Sequence, residues 1–414
     1  MNSLLVILLV IISAGFIGDL ILDILNIRNM KPDLPLILKD CYDRERYKKS
    51  QLYLRENGNF RFILSSLGFV VIMLMFILGG FTWLNSMVMS VTDSPIWAAL
   101  LFFGILGLAS DLGSTPFDIW STFVIEEKYG FNKTTPKTFI LDKLKSWLLV
   151  LLIGTPLAAF IIWIYTKTGS WFWIFAWVVL SLFSLFMSLF YSTLIVPLFN
   201  KQKPLEEGSL RTEIEALATK TGFTLDKIFV IDGSKRSSKA NAYFSGFGRK
   251  KRIVLFDTLI EELQEKEILA VLAHEIGHYR KKHIIRSMAL SLVQSAVILF
   301  IFSLVIGNPT LSAALNIPEP SFHIGVLVFG VLFSPVSTLT GLLTNSLSRK
   351  YEYQADEFAA QAGFAHELGD ALIGLSEKNL SNLTPHRAYA FVNYSHPTLL
   401  QRLARLIPPP IPET

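Results

Sequence analysis

The stretch "LAHEIGHYRKKHIIRSMALSLVQSAVILFIF", residues 272–302, decides how this chain is read. Its first half sets His274 and His278 four residues apart with Glu275 between them; its second half carries no charge after Arg286. At about 100° per residue, positions i and i+4 of a helix share a face. Both imidazoles can therefore reach one ion, while Glu275, one step round, can address a water held there without being a ligand. This is the H-E-x-x-H arrangement of zinc hydrolases; two solvated histidines on a surface helix are the plain alternative. The apolar half is long enough to cross a bilayer. A metal-ready cluster thus stands where a helix enters a membrane.

The composition supports the membrane. Of 414 residues, 51% are hydrophobic and only 17% charged, with a mean hydropathy of +0.46, too apolar for an ordinary soluble globule. Seven stretches can span: near 3–25, 61–84, 95–112, 146–166, 171–196, 284–307 and 322–346. The first follows Met1 directly, without a basic leader or a convincing cleavage site, and is read as an uncleaved helix rather than a signal peptide.

Lys and Arg in short loops orient such helices. The segments after spans 1, 3, 5 and 7 hold 37 of the 38 basic residues, and the opposite side holds only Lys167. The expected topology has the N-terminus outside and the C-terminus cytoplasmic. The net charge of +5 then reflects loop bias, with no nucleic-acid partner expected. The single Cys41 excludes an intramolecular disulfide framework.

The expected fold is an all-α polytopic membrane protein of seven helices with a small α+β, gluzincin-like metalloprotease domain on the cytoplasmic side. Its divisions are 1–200 (spans 1–5), 201–283 (first part of the protease domain), 284–346 (spans 6 and 7) and 347–414 (second part and tail). Within 201–283, "LRTEIEALATKTG" (210–222) reads as a helix stopped at Gly222. "KIFVID" (227–232), "NAYFSGF" (241–247) and "KRIVLFD" (251–257) read as short strands, and 261–283 as one helix, acidic at its start and basic at its end. The tail "IPPPIPET" (407–414) reads as extended or disordered.

A catalytic zinc needs a third protein ligand and an open position. Glu352, in "SRKYEYQADEFAAQAGF", is the candidate, and Asp356 one turn later suits the carboxylate that a ligating histidine addresses with its second nitrogen. Spans 6 and 7 form a hairpin that returns Glu352 to the side of the histidines. His283 reads as an interfacial basic residue, His323 lies on the outer side of span 7, His366 and His386 have no assignable partner, and His396, before Pro397, reads as a solvated helix cap.

Beyond the histidine motif, "FVIEEKYGFNKTT" (123–135), "VPLFNK" (196–201), "IDGSKRSSKANAYFSGFGRKKRIVLFDTLIEEL" (231–263), "YEYQADEFA" (351–359) and "NYSHPTLLQRLARL" (393–406) occur in order over nearly the whole chain. Together they resemble the integral-membrane zinc CAAX prenyl protease family (type I CAAX endopeptidases, a branch that includes heat-shock membrane metalloproteases). The resemblance implies a ring of seven helices around a water-filled chamber, closed at its cytoplasmic end by the protease site. It implies one Zn2+ per chain on His274, His278 and Glu352, with Glu275 as general base. His396 would stabilise the oxyanion and Arg402 would help shape that site. Asn241 and Ala242, with neighbouring Tyr243, would belong to an edge strand that aligns the substrate backbone. The tail lacks a dilysine ending and the chain is compact, so a bacterial or archaeal inner membrane is as open as the endoplasmic reticulum.

The expected activity is zinc-dependent endopeptidase cleavage of the C-terminal tripeptide of prenylated CAAX proteins, or of similar hydrophobic tails. Quality control of damaged membrane proteins is the alternative within proteases. A transporter with a structural zinc is the alternative outside them, drawing on Asp19, Asp23 and Asp111 near span ends. Structural zinc favours four protein ligands, often thiolates, which one cysteine cannot supply.

Overall fold

The computed structural model describes residues 2–223, 227–245 and 252–407. Among the described residues, seven helices are long and apolar enough to cross a membrane: Ser3–Arg28, Arg44–Ile77, Pro95–Tyr129, Pro136–Thr168, Phe172–Phe199, His283–Val305 and Phe322–Gln361, here spans 1 to 7. Their number and order follow the hydropathy, but their ends do not. Span 2 starts well before its apolar stretch and stops at Ile77, not at 84, because Gly79 adopts a left-handed φ of 72° and a separate helix, Gly80–Met89, begins. Span 7, 40 residues in all, runs unbroken past 346 to Gln361, carrying Glu352 on the same helix as the apolar stretch.

Each span packs on the next in sequence and the seventh returns to the first, closing a ring. At the end away from the histidine motif the ring is plugged by an apolar cluster that includes Leu8, Phe81, Leu84, Phe102, Leu315 and Ile324. His323 is buried in that plug, its Nε2 2.7 Å from Asn85 Oδ1. From 6 to 17% of each span's most apolar stretch is buried within the protein, leaving large apolar side chains exposed along the spans. Asp111, midway along span 3, lies 3.2 Å from Lys143 of span 4 and accepts from Trp147 Nε1 at 2.9 Å. The charge is thereby paired within the ring.

Beyond the membrane stands a sheet of four strands, β1 (Gln202–Pro204), β2 (Lys227–Ile231), β3 (Ala242–Ser245) and β4 (Arg252–Phe256), in the order β1-β2-β4-β3. β4 pairs parallel to β2 and antiparallel to β3. Its Ile253, Val254 and Leu255 are fully buried, as a central strand requires. β1 was not legible in the sequence; the ends of the two expected strands at 246–247 and 251 lie outside the described residues, as does the tail from 408.

The expected single helix at 261–283 is divided. Asp257–Glu262 ends at Leu263, and a reciprocal capping box between Gln264 and Glu267 starts the histidine helix, Glu265–Arg280. That helix stops because Lys282 takes a left-handed φ of 59°, and span 6 begins at His283. The buried face of the histidine helix, Ile268, Leu272, Ala273 and Ile276, packs with the sheet residues Ile253 and Leu255 and with Ala359 of span 7 in one core. That core fixes the histidine face against the C-terminal end of span 7.

Candidate metal and catalytic site

The histidine helix and span 7 meet at Gly277, between the two histidines. A Cβ there would lie 3.0 Å from Ala355 Cα and 3.0 Å from Phe358 Cβ, so glycine is what allows the backbones this close. The approach brings His274, His278 and Glu352 together, one donor atom from each within 4.8 Å of the others. The separations are 3.2 Å between the two Nε2 atoms, 3.5 Å from His274 Nε2 to Glu352 Oε2, and 3.3 Å from His278 Nε2 to Glu352 Oε1. Donors at about 2.0–2.1 Å from a tetrahedral ion stand about 3.3 Å apart. The triangle therefore fits one cation. His274 and Glu352 are buried and His278 half-buried.

Glu352 Oε2 gives the same indication. It is buried without a hydrogen-bond donor, although His396 Nδ1 is 2.9 Å away, so that neighbour is an ion-pair contact with poor hydrogen-bond geometry. A buried carboxylate oxygen left in this state needs a cation.

Both imidazoles have their second nitrogen engaged. His274 Nδ1 donates to Asp356 Oδ1 at 2.8 Å, leaving Nε2 to face the site. Burial disfavours a charged His274, but the neighbouring Asp356 and Glu352 carboxylates outweigh it and raise its pKa to about 9. A nitrogen made this basic is also a strong donor to a metal. For His278 the partner is His283, Nδ1 to Nδ1 at 3.0 Å, and His283 Nε2 donates to Gln354 Oε1 at 2.8 Å. With Gln354 as acceptor, neutral His283 must accept at Nδ1, so His278 Nδ1 donates and its Nε2 lone pair turns to the site.

The interfacial reading of His283 is thereby corrected. On a continuous helix, position i+5 falls about 140° from i; the break at Lys282 swings His283 back, where it is buried and stacked on Tyr351 with ring centroids 4.1 Å apart. No spacing rule pointed to it, nor to Gln354.

Arg402 donates to Asp356 through Nε at 2.9 Å and Nη2 at 2.5 Å, and its Nη1 lies 3.7 Å from Glu352 Oε2. It reaches the site through the carboxylate that orients His274. Glu275 is half-buried and makes no hydrogen bond or ion pair among the described residues, which leaves its carboxylate available. His396 is not merely a solvated cap: its side chain is 64% exposed yet reaches Glu352, so the cluster opens to solvent on that side. His386 caps a helix, accepting from Ala388 N at 3.2 Å.

Asn241, Ala242 and Tyr243 share no hydrogen bond or ion pair with this cluster. Ala242 and Tyr243 lie in β3, which pairs only with β4, so its outer edge is unpaired among the described residues and can accept an extended peptide. The Tyr243 hydroxyl is 3.4 Å from that of Ser192 in span 5, which ties the edge strand to the membrane ring. Burial pushes the Tyr243 pKa up.

Comparison with known proteins agrees with this architecture. Residues 23–201 match the family model of the CAAX prenyl protease N-terminal region with five membrane helices, and residues 204–408 match that of peptidase family M48. The CAAX prenyl protease 1 of Saccharomyces cerevisiae is 37% identical over 90% of this chain and 88% of its own length. The CAAX prenyl protease 1 homolog of Arabidopsis thaliana is 36% identical over 94% of each chain. The crystal structure of S. mikatae Ste24p superposes with a TM-score of 0.93 at 34% identity, covering 98% of this chain and 100% of that one. This chain is a multi-pass membrane metalloendopeptidase and belongs to the CAAX prenyl protease branch of peptidase family M48.

Proposed function

We propose that this enzyme removes the C-terminal tripeptide of prenylated CAAX proteins with one zinc ion held by His274, His278 and Glu352. The observation that carries the chemistry is the donor triangle, whose 3.2 to 3.5 Å edges would let His274, His278 and Glu352 hold one ion. The substrate class rests on the relatives named CAAX prenyl proteases. Zinc, when bound, supplies Lewis acidity, bringing a water toward a pKa of about 7 and polarising the scissile carbonyl.

The chain's own residues do the rest. Glu275 takes the proton of the attacking water and delivers it to the departing amine. The exposed His396 ring stabilises the oxyanion as charge develops. Asn241, Ala242 and Tyr243 align the substrate backbone along the free edge of β3. Asp356, held by Arg402, orients His274. The distribution of Lys and Arg supports an orientation with the site in the cytoplasm, where tails of cytoplasmic proteins are accessible. A chamber enclosed by the ring behind the site would give a lipid-bearing tail apolar surroundings.

The test pairs wild type with Glu275→Gln on a farnesylated CAAX peptide and its unprenylated twin, with metal content measured on both proteins. Glu275→Gln should keep one zinc per chain and lose cleavage by about 100-fold or more. Full activity in that variant would reject the assignment of Glu275. Equal cleavage of the two peptides would instead favour the quality-control reading.

A further inference from the structure

Span 7 carries a stripe of polar side chains at residues 345, 349, 352 and 356, spaced four, three and four, on one helix face. Each contacts the C-terminal segment in turn. Asn345 Nδ2 donates to Val392 O at 2.8 Å, and Arg349 Nη1 donates to Phe391 O at 3.1 Å and Tyr394 O at 2.5 Å. One turn on, Glu352 meets His396, and after it Asp356 meets Arg402.

The first two contacts have a clear physical role. Val392 and Phe391 close the short helix Arg387–Asn393, and the last carbonyls of a helix have no donors of their own. Asn345 and Arg349 supply them, the cation at the negative end of the helix. The guanidinium also lies over the Phe391 ring, 5.4 Å from its centroid. Two residues beyond the pinned Tyr394 carbonyl comes His396, whose side chain is 64% exposed and makes an ion-pair contact with Glu352. An imidazole so little packed takes its position from its backbone, and the backbone here is fixed by Asn345 and Arg349.

Resting on the role of His396 given above, we infer that Asn345 and Arg349 are positioning residues for catalysis: they hold the 391–396 segment so that His396 faces the metal site. One helix thereby sets both a metal ligand and the oxyanion group, in fixed register.

The experiment compares Arg349→Gln, Asn345→Ala, His396→Ala and the double variant Arg349→Gln/His396→Ala in purified full-length protein. It measures metal content, kcat and KM on the farnesylated peptide, and hydrogen exchange of metal-free protein. Arg349→Gln should keep its metal and its KM, lose about 10- to 100-fold in kcat, and recover in part with Arg349→Lys. Exchange across 390–398 should rise by about 10-fold or more while 272–280 stays protected. On the His396→Ala background, Arg349→Gln should add less than about two-fold, because both act through one group.

Unchanged exchange at 390–398, loss of metal, or losses that multiply in the double variant would each overturn the inference. If Arg349→Gln does not fold, Asn345→Ala, which removes a single bond, carries the same comparison. Wild type inactive on the prenylated peptide would sink the substrate assignment, and the exchange data would still decide whether the clamp exists. His396→Ala as active as wild type would remove the role on which the clamp acts.

Discussion

At the scale of single residues, the two candidate ligand histidines, His274 and His278, are held by partners outside the donor triangle. His274 is fixed by Asp356, and Asp356 is fixed in turn by the buried Arg402. His278 is fixed by a relay through His283 to Gln354. Such partners set ring orientation and tautomer, and removing one typically costs 10–100-fold in metal affinity, by order of magnitude. His283→Ala should therefore weaken metal binding by about that factor, measured by competition with a chromogenic chelator. Affinity equal to wild type would mean that His278 needs no support at Nδ1. His274 and His278 were readable from their spacing. His283 was not, because its place depends on a left-handed turn at Lys282, a lysine that nothing in the local sequence marks for that conformation.

At the scale of elements, the site is a crossing of two helices. The histidine helix lies on span 7 at Gly277, and the contact is backbone to backbone. Gly277→Ala adds a methyl where Ala355 Cα is 3.0 Å away, so the helices must separate by some tenths of an ångström. Overpacking of this kind costs about 1–3 kcal/mol. The variant should show a lower thermal midpoint together with reduced metal content, since the histidines and Glu352 sit on opposite sides of the crossing. A variant with full metal content and an unchanged midpoint would refute the close approach. The sequence offered the glycine inside the motif, but its partner surface, Ala355 and Phe358, lies about eighty residues on and is joined only through the span 6 to span 7 hairpin.

At the scale of the whole molecule, seven spans form a closed ring with an apolar plug at one end and the protease domain at the other. The basic residues predict which end is which. In a Cys41→Ser background, Asp93→Cys and Glu319→Cys should react with a membrane-impermeant maleimide in intact cells. In the unsubstituted chain, the exposed Cys41 should react only after permeabilisation. The reverse pattern would invert the orientation and put the site outside. The sequence by itself determined the number and order of the spans, the expected sidedness and the histidine pair, because hydropathy, loop charge and helical periodicity are local properties that survive without a fold. Only the tertiary structure decided that Glu352, Asp356, His396 and Arg402 converge on those histidines in one cluster, and that His283, Asn345 and Arg349 support it. Those placements depend on where span 7 ends, on one glycine-lined crossing and on one lysine in a left-handed turn, and each is set by packing between distant segments that no local pattern encodes.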